Sequence, residues 1–239
     1  MRFLSSLLDL IYVPLCPSCD VRVPANAGLC ATCVISLVEL GSACPRCAEP
    51  LEGPQSFECG RCRKRPPPYA SLTAPYRYGG ELAAALQRLK FQRRPDIARS
   101  LGPMVTPCLS ATIEMHGIEL LMPIPLHWRR MSSRGFNQAA LLLDYAAAGL
   151  EDDVDIDRVS LRRTRRTTAQ AGLDARARIA NVDGAFAVVA GRRSRVAQRR
   201  ILLVDDISTT GATIAAAARA LLASGARSVH GFAVGRTET

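Results

Sequence analysis

Close to the C-terminus four apolar residues, Ile201 to Val204, run directly into Asp205-Asp206-Ile207-Ser208-Thr209-Thr210-Gly211-Ala212-Thr213, and alanine-rich sequence follows. The order describes a buried strand, paired carboxylates, a turn bearing hydroxyls and a glycine, and a helix N-terminus. Such a turn offers backbone N–H groups, hydroxyls and the positive end of a helix dipole to a phosphate. Ser208, Thr209, Thr210, Gly211, Ala212 and Thr213 are therefore phosphate-binding candidates. Asp205 and Asp206, fixed at the strand's end, suit ribose hydroxyls or a bound Mg2+. In an open parallel sheet, that end is where ligands gather. Two acids after a strand can also cap a helix, and glycine also forms turns. The complete strand–turn–helix string favours the ligand-binding reading.

A second chemistry lies at the other end. Eight of the nine cysteines form the pairs Cys16/Cys19, Cys30/Cys33, Cys44/Cys47 and Cys59/Cys62, with two residues inside each pair and gaps of ten, ten and eleven between them. Two intervening residues let both thiolates of a knuckle face one metal, and two knuckles complete a tetrahedron. The region is rich in Pro and Gly and short of apolar periodicity, so its core needs a staple. Bound Zn2+ contributes about 10–16 kcal/mol in comparable peptides. A disulfide framework would need a secretory signal and an oxidising compartment, and a redox motif would need one pair near a βαβ unit. Two structural four-cysteine zinc sites are expected. Short loops favour sequential pairing, with interleaved pairing left open. Cys108, alone in an apolar context, reads as a small buried hydrophobe.

With 239 residues, 48% of them hydrophobic, the chain can hold one substantial domain and a small one. No apolar run approaches the ~20 residues that span a bilayer. Phe3 to Leu15 is apolar but carries Asp9 and lacks a small-residue cleavage site, so an amphipathic helix packed on the protein is expected, and a cytoplasmic location with it. The net charge of +10 is uneven: residues 158–200 hold twelve arginines against Asp174 and Asp183, while residues 1–68 hold seven basic and six acidic groups. The basic stretch suits a diphosphate, a nucleotide or a nucleic-acid backbone, or is a solvated surface.

Arg63-Lys64-Arg65-Pro66-Pro67-Pro68 reads as a linker between a cysteine-rich region, 1–68, and a second domain, 69–239. Ala70 to Tyr78 is extended. A helix from Glu81 to Phe91 places Leu82, Leu86 and Leu89 on one face, and another runs from Pro95 to about Leu109. A buried strand spans Glu119 to Pro125, followed by His127-Trp128-Arg129-Arg130 and a helix over Ala139 to Ala148. Glu151 to Asp157 reads as a surface loop. A strand near Val159 to Leu161 leads into an arginine-rich loop from Arg162 to Gln170. Strands over Ala185–Val189, Ile201–Val204 and Ser228–Val234, with a helix over Ala212–Ala223, complete a mostly parallel, doubly wound α/β sheet.

The chain resembles the ComF family, phosphoribosyltransferase-like proteins linked to competence for DNA uptake. The matching residues are the paired cysteines, Leu89-Lys90-Phe91, Pro123-Ile124-Pro125-Leu126-His127, Arg134-Gly135-Phe136-Asn137-Gln138, the Thr168 to Asn181 segment and the Val204 to Thr213 string. That string resembles the 5-phosphoribosyl-1-pyrophosphate motif of type I phosphoribosyltransferases. The resemblance implies a double zinc ribbon on a type I phosphoribosyltransferase-like fold, binding phosphoribosyl pyrophosphate with Mg2+. Hypoxanthine-guanine enzymes carry an Asp two residues before the loop glycine. Here that position is Thr209, which disfavours purine salvage of that type.

If the chain is a transferase, Thr209 to Thr213 cradle the 5-phosphate, and Asp205 and Asp206 hold ribose hydroxyls and stabilise positive charge at the anomeric carbon. His127, Arg129 and Arg130 stand after the first core strand, where a departing diphosphate needs donors, although a turn histidine and solvated arginines fit there too. Arg162 to Arg166 would close as a lid. Lys90 and Asn137 match the family, with packing or loop capping as their expected roles. The other reading is an accessory that keeps the ligand fold without chemistry and binds single-stranded DNA or DNA-uptake proteins. Aromatics make up only 5% of the chain, so base-stacking platforms are scarce. A transcriptional regulator would need a recognition helix, and the sequence lacks that signature.

Overall fold

The computed structural model describes residues 15–24, 28–53, 57–151, 154–165 and 175–238. The expected N-terminal helix lies outside them except for Leu15, which forms an antiparallel bridge with Arg22. Short helices α1 (Ala31–Ile35) and α2 (Gly60–Lys64) follow directly on Cys30 and Cys59. The expected linker thus begins inside a helix.

The main sheet is built from β1 (Leu72–Thr73), β2 (Tyr76–Arg77), β3 (Leu120–Pro123), β4 (Asp155–Ile156), β7 (Arg200–Ser208) and β8 (Ser228–Arg236). Its order is β1-β8-β7-β3-β4, with β2 also beside β8, and every pairing is parallel. A parallel sheet is covered on both faces, so β3 and β7 read as continuous apolar runs. Alternate residues nonetheless go to different layers. Leu120, Met122, Ile201 and Leu203 pack with Ile214, Ala217 and Leu221 of α9 (Ala212–Ala223). Leu121, Leu202 and Val204 pack with helices α3 (Gly80–Phe91), α4 (Asp96–His116) and α6 (Gln138–Ala147). Helices α4 and α6 come close enough that a Cβ at Gly102 would lie 2.5 Å from Cβ of Tyr145.

The observed α4 runs seven residues past Leu109, to His116, because its buried stripe continues through Val105, Leu109 and Thr112. Pro103 and Pro107 lie inside it, both on the solvent face. Water there can satisfy the carbonyls that two missing N–H groups leave free. Among the described residues, no helix is long and apolar enough to cross a membrane.

Three expectations need correction. The acidic stretch is not all surface loop: Asp155–Ile156 adds the edge strand β4, and the buried Asp157 carboxylate accepts from the amides of Val159 and Ser160 at 2.9 and 2.8 Å. The strand near Val159 lies later, as β5 (Leu161–Arg163), which takes Arg162 and Arg163 out of the expected loop. It pairs antiparallel with β6 (Phe186–Val188) in a separate two-stranded ribbon, so β6 does not belong to the main sheet. Of the rest of that loop, Thr164 N donates to Ala185 O at 2.9 Å and Arg165 Nη2 to Asp183 O at 2.6 Å, while 166–170 lie outside the described residues. Helix α7 (Ala175–Val182) lies between β5 and β6, α8 (Arg193–Val196) lies between β6 and β7, and α5 (Trp128–Arg134) fills the segment after β3.

Candidate functional site

The cysteines gather as two groups, Cys16/Cys19/Cys30/Cys33 and Cys44/Cys47/Cys59/Cys62, with the sulfurs of each group within 4.8 Å of one another. Pairing is sequential. A tetrahedron with Zn–S bonds of about 2.3 Å has edges of about 3.8 Å. Cys19 and Cys30 sulfurs stand 3.6 Å apart, and those of Cys47 and Cys59 3.7 Å. The amides of Cys30 and Cys59 donate to the sulfurs of Cys16 and Cys44 at 3.3 and 3.2 Å. Both groups fit structural Zn2+. Cys108 is half-buried, against the α3–α4–α6 layer.

The ribbons are joined to the sheet. Leu40 N donates to Pro75 O at 2.9 Å, and Arg77 N to Val38 O at 2.8 Å, extending the β2 edge. Ser18 hydrogen-bonds Glu81 near the start of α3.

The carboxylates lie within β7, not beyond it, because its pairing with β8 persists to Ser208–Arg236. Asp205 and Asp206 are only 9% and 3% exposed. The Asp206 amide donates to Asp205 Oδ1 at 2.9 Å, and Gln138 Nε2 donates to Asp206 Oδ1 at 3.5 Å. Lys90, at the end of α3, forms an ion pair with Asp206 Oδ2. Burial, and then the charge of Asp206, hold the Asp205 carboxyl well above the usual carboxylate range. Burial raises Asp206 too, but the Lys90 ammonium outweighs it and keeps this carboxyl below that range. One lysine thus neutralises one of two carboxylates, and the environment of Asp205 favours its protonated form.

After β7 the chain turns through Thr209 and Thr210 into α9. The α9 N-cap, Gly211, has φ +76°. A Cβ at this position would lie 2.4 Å from the Tyr69 hydroxyl oxygen, so only glycine keeps the turn's shape. Ser208, Thr209, Gly211, Ala212 and Thr213 line a small pocket at the helix N-terminus, and Thr210 Oγ1 accepts from Ala212 N at 3.4 Å. The Ser208 side chain, 4% exposed, has no hydrogen-bond partner among the described residues. A buried hydroxyl without a partner is costly and fits a site that a phosphate oxygen completes.

Beside this pocket opens a cleft of about 430 Å3. Its cationic lining is Lys90, Arg130, Arg134 and Arg163, and Tyr78, Phe91, Ile124 and Leu126 supply apolar wall. Burial, then the charge of Arg130, push the Arg163 guanidinium down to about 10, with Asp205 opposing.

Of the three cations expected after β3, Arg130 reaches the cleft. The buried His127 caps α5, its Nδ1 accepting from Arg129 N at 3.3 Å. Arg129 lies exposed over the Trp128 ring, 5.1 Å from the centroid. Asn137 caps α6 through Oδ1 and donates from Nδ2 to Ile124 O at 3.0 Å. Lys90 has more than the packing role expected of it. Its sequence signal was position: Leu82, Leu86 and Lys90 recur every four residues, placing a lysine at the end of a buried stripe.

A zinc-ribbon region joined to a mostly parallel α/β sheet, with acids and a glycine turn at one strand end, is a fold consistent with phosphoribosyltransferase-like proteins. The model of the double zinc ribbon domain matches residues 7–63. DNA utilization protein YhgH of Salmonella typhimurium is 34% identical over 213 residues, 88% of this chain and 91% of that protein. Competence protein F of Haemophilus influenzae is 30% identical over 80% of this chain and 82% of its own length. Competence protein ComFC of Bacillus subtilis is 28% identical over 87% of this chain and 84% of its own length. The chain belongs to the ComF family.

Proposed function

We propose that the chain binds 5-phosphoribosyl-1-pyrophosphate together with Mg2+ and transfers the ribosyl group to an acceptor. The observation that carries this reading is the buried, unpartnered Ser208 hydroxyl beside the Gly211-capped start of α9, adjoining Asp205 and Asp206. Residues 209–213 receive the 5-phosphate. Asp205 and Asp206 receive the ribose hydroxyls, and would hold Mg2+, whose charge offsets that of the diphosphate. Lys90, Arg130, Arg134 and Arg163 face the departing pyrophosphate from the cleft wall. The C1–O bond to pyrophosphate breaks as the acceptor's nucleophile bonds C1, and the acceptor's proton is lost to solvent or base.

The four cations support this arrangement because they line one cleft beside the turn, where gathered positive charge suits a diphosphate. The relatives' names, DNA utilization protein and competence protein, support a place in the uptake or use of DNA. One observation favours a further role there: exposed Phe91 at the cleft and exposed Trp128 on α5 carry Arg134 and Arg129 against their rings, at 5.9 and 5.1 Å. An aromatic face with a cation is a stacking platform for single-stranded DNA. Titration calorimetry with phosphoribosyl pyrophosphate, with and without Mg2+, tests the main reading. Binding only with Mg2+ supports it, and no heat under either condition rejects it.

A further inference from the structure

The second cysteine cluster and the phosphate turn share one side chain. Arg236, the last residue of β8, is 0% exposed, and its guanidinium points two ways. Toward the ribbon, Nε donates to the Cys47 carbonyl at 3.1 Å and Nη2 pairs with the Glu49 carboxylate. Toward the turn, Nη1 donates to the Ser208 carbonyl at 3.3 Å and to the Thr237 carbonyl at 2.7 Å. A planar fork fixes these acceptors relative to one another in a way that a flexible ammonium would not.

A second contact runs alongside. Arg46, next to Cys47, donates to the Tyr69 carbonyl at 3.4 Å, and the Tyr69 hydroxyl stands against Gly211. The knuckle that supplies these groups is closed by Cys44 N donating to Glu49 O at 2.8 Å and Ala48 N to Cys44 O at 2.8 Å. The first cluster is placed differently. Ser18 and Cys33 beside it meet Glu81, at the opposite end of α3 from Lys90.

A buried guanidinium cannot give up its acceptors cheaply, so Cys47, Glu49 and Ser208 move together or hold together. Metal bound by Cys44, Cys47, Cys59 and Cys62 holds the knuckle. Its loss frees the knuckle, and Ser208 then loses the anchor that shapes the phosphate pocket.

We propose that Arg236 is a positioning residue that couples the metal state of the second cysteine cluster to the affinity of the 208–213 turn for a phosphate-bearing ligand. The inference rests on the phosphoribosyl pyrophosphate reading above. Coupling is reciprocal: if metal in that cluster strengthens ligand binding, the ligand must tighten metal binding in that cluster by the same factor.

The test uses the full-length zinc-loaded protein exposed to a chelator and an alkylating reagent, with and without Mg2+ and phosphoribosyl pyrophosphate. Peptide mass spectrometry then reads each cysteine. The ligand is expected to slow modification of Cys44, Cys47, Cys59 and Cys62 by about tenfold, a common size for such coupling. Cys16, Cys19, Cys30 and Cys33 should change little. In Arg236→Lys and in Glu49→Gln this selective protection should disappear while calorimetry still detects the ligand. Glu49→Gln keeps the shape and an acceptor, so it carries the test if Arg236→Lys does not fold. Equal protection of both clusters, or undiminished selectivity in the variants, overturns the coupling. Ligand binding without any protection of the second cluster overturns it as well. Absence of ligand binding by the wild-type protein instead removes the functional reading, and the coupling with it.

Discussion

Replacing Asp205 with Asn should make the protein more stable at neutral pH and a poorer ligand binder. Two buried carboxylates face one lysine, Lys90, which pairs with Asp206. Were both ionised about 4 Å apart, they would repel by about 4 kcal/mol at an effective dielectric constant of about 20. Burial and the charge of Asp206 raise the Asp205 carboxyl, which favours its protonated form. A carboxyl that is raised in the folded state lets the unfolded chain ionise first. The folded state then loses stability as pH climbs from the unfolded value, about 3.9, toward the folded one. The slope is at most about 1.4 kcal/mol per pH unit. Asn cannot ionise, yet its Oδ1 can still accept the bond that Asp206 N donates at 2.9 Å. Urea denaturation of wild type and Asp205→Asn at pH 4 and pH 7 reads this directly. The variant should match wild type near pH 4 and gain up to about 4 kcal/mol at pH 7, the limiting slope taken over about three pH units. Affinity for phosphoribosyl pyrophosphate should fall by about 10- to 100-fold, from a lost charge-assisted contact of about 1.5–3 kcal/mol. A variant that is less stable at pH 7, or whose difference from wild type ignores pH, refutes the electrostatic reasoning.

Elemental analysis of purified protein should find two zinc ions, one for each cysteine group. Lys90→Met should cost about 3 kcal/mol in thermal or chemical denaturation, because Asp206 is left buried without its cation. Gly211→Ala should weaken ligand binding and cost about 1–3 kcal/mol, from φ +76° and the encounter with Tyr69, both readable by calorimetry and melting. Replacing Trp128 and Phe91 with Ala should weaken single-stranded DNA binding by about 1–3 kcal/mol per stacked base while leaving its salt slope intact, as fluorescence titration would show.

The strand, turn and helix start of the candidate site are legible because they are contiguous: β7, the turn and the start of α9 occupy one unbroken string. The cysteine groups were legible for the same reason, since spacing alone limits which thiols can meet. Elsewhere the information is spread along the chain. Short apolar runs such as Phe186–Val188 look alike whether they enter the main sheet or a separate ribbon, and only pairing with Leu161–Arg163 decides. Arg236 reads as the polar end of a strand, and its partner Glu49 lies 187 residues away. Lys90 was weighed as packing because its partner is in β7, although its four-residue spacing from Leu86 already placed it beside the core.

The most direct test of the site is calorimetric titration of phosphoribosyl pyrophosphate into the wild-type protein and the Asp205→Asn, Asp206→Asn double variant, each with and without Mg2+. Mg2+-dependent binding by the wild type, reduced at least about tenfold in the variant, is the predicted result. Equal affinity in the two proteins, or binding indifferent to Mg2+, would contradict the assignment of Asp205 and Asp206 to the ligand.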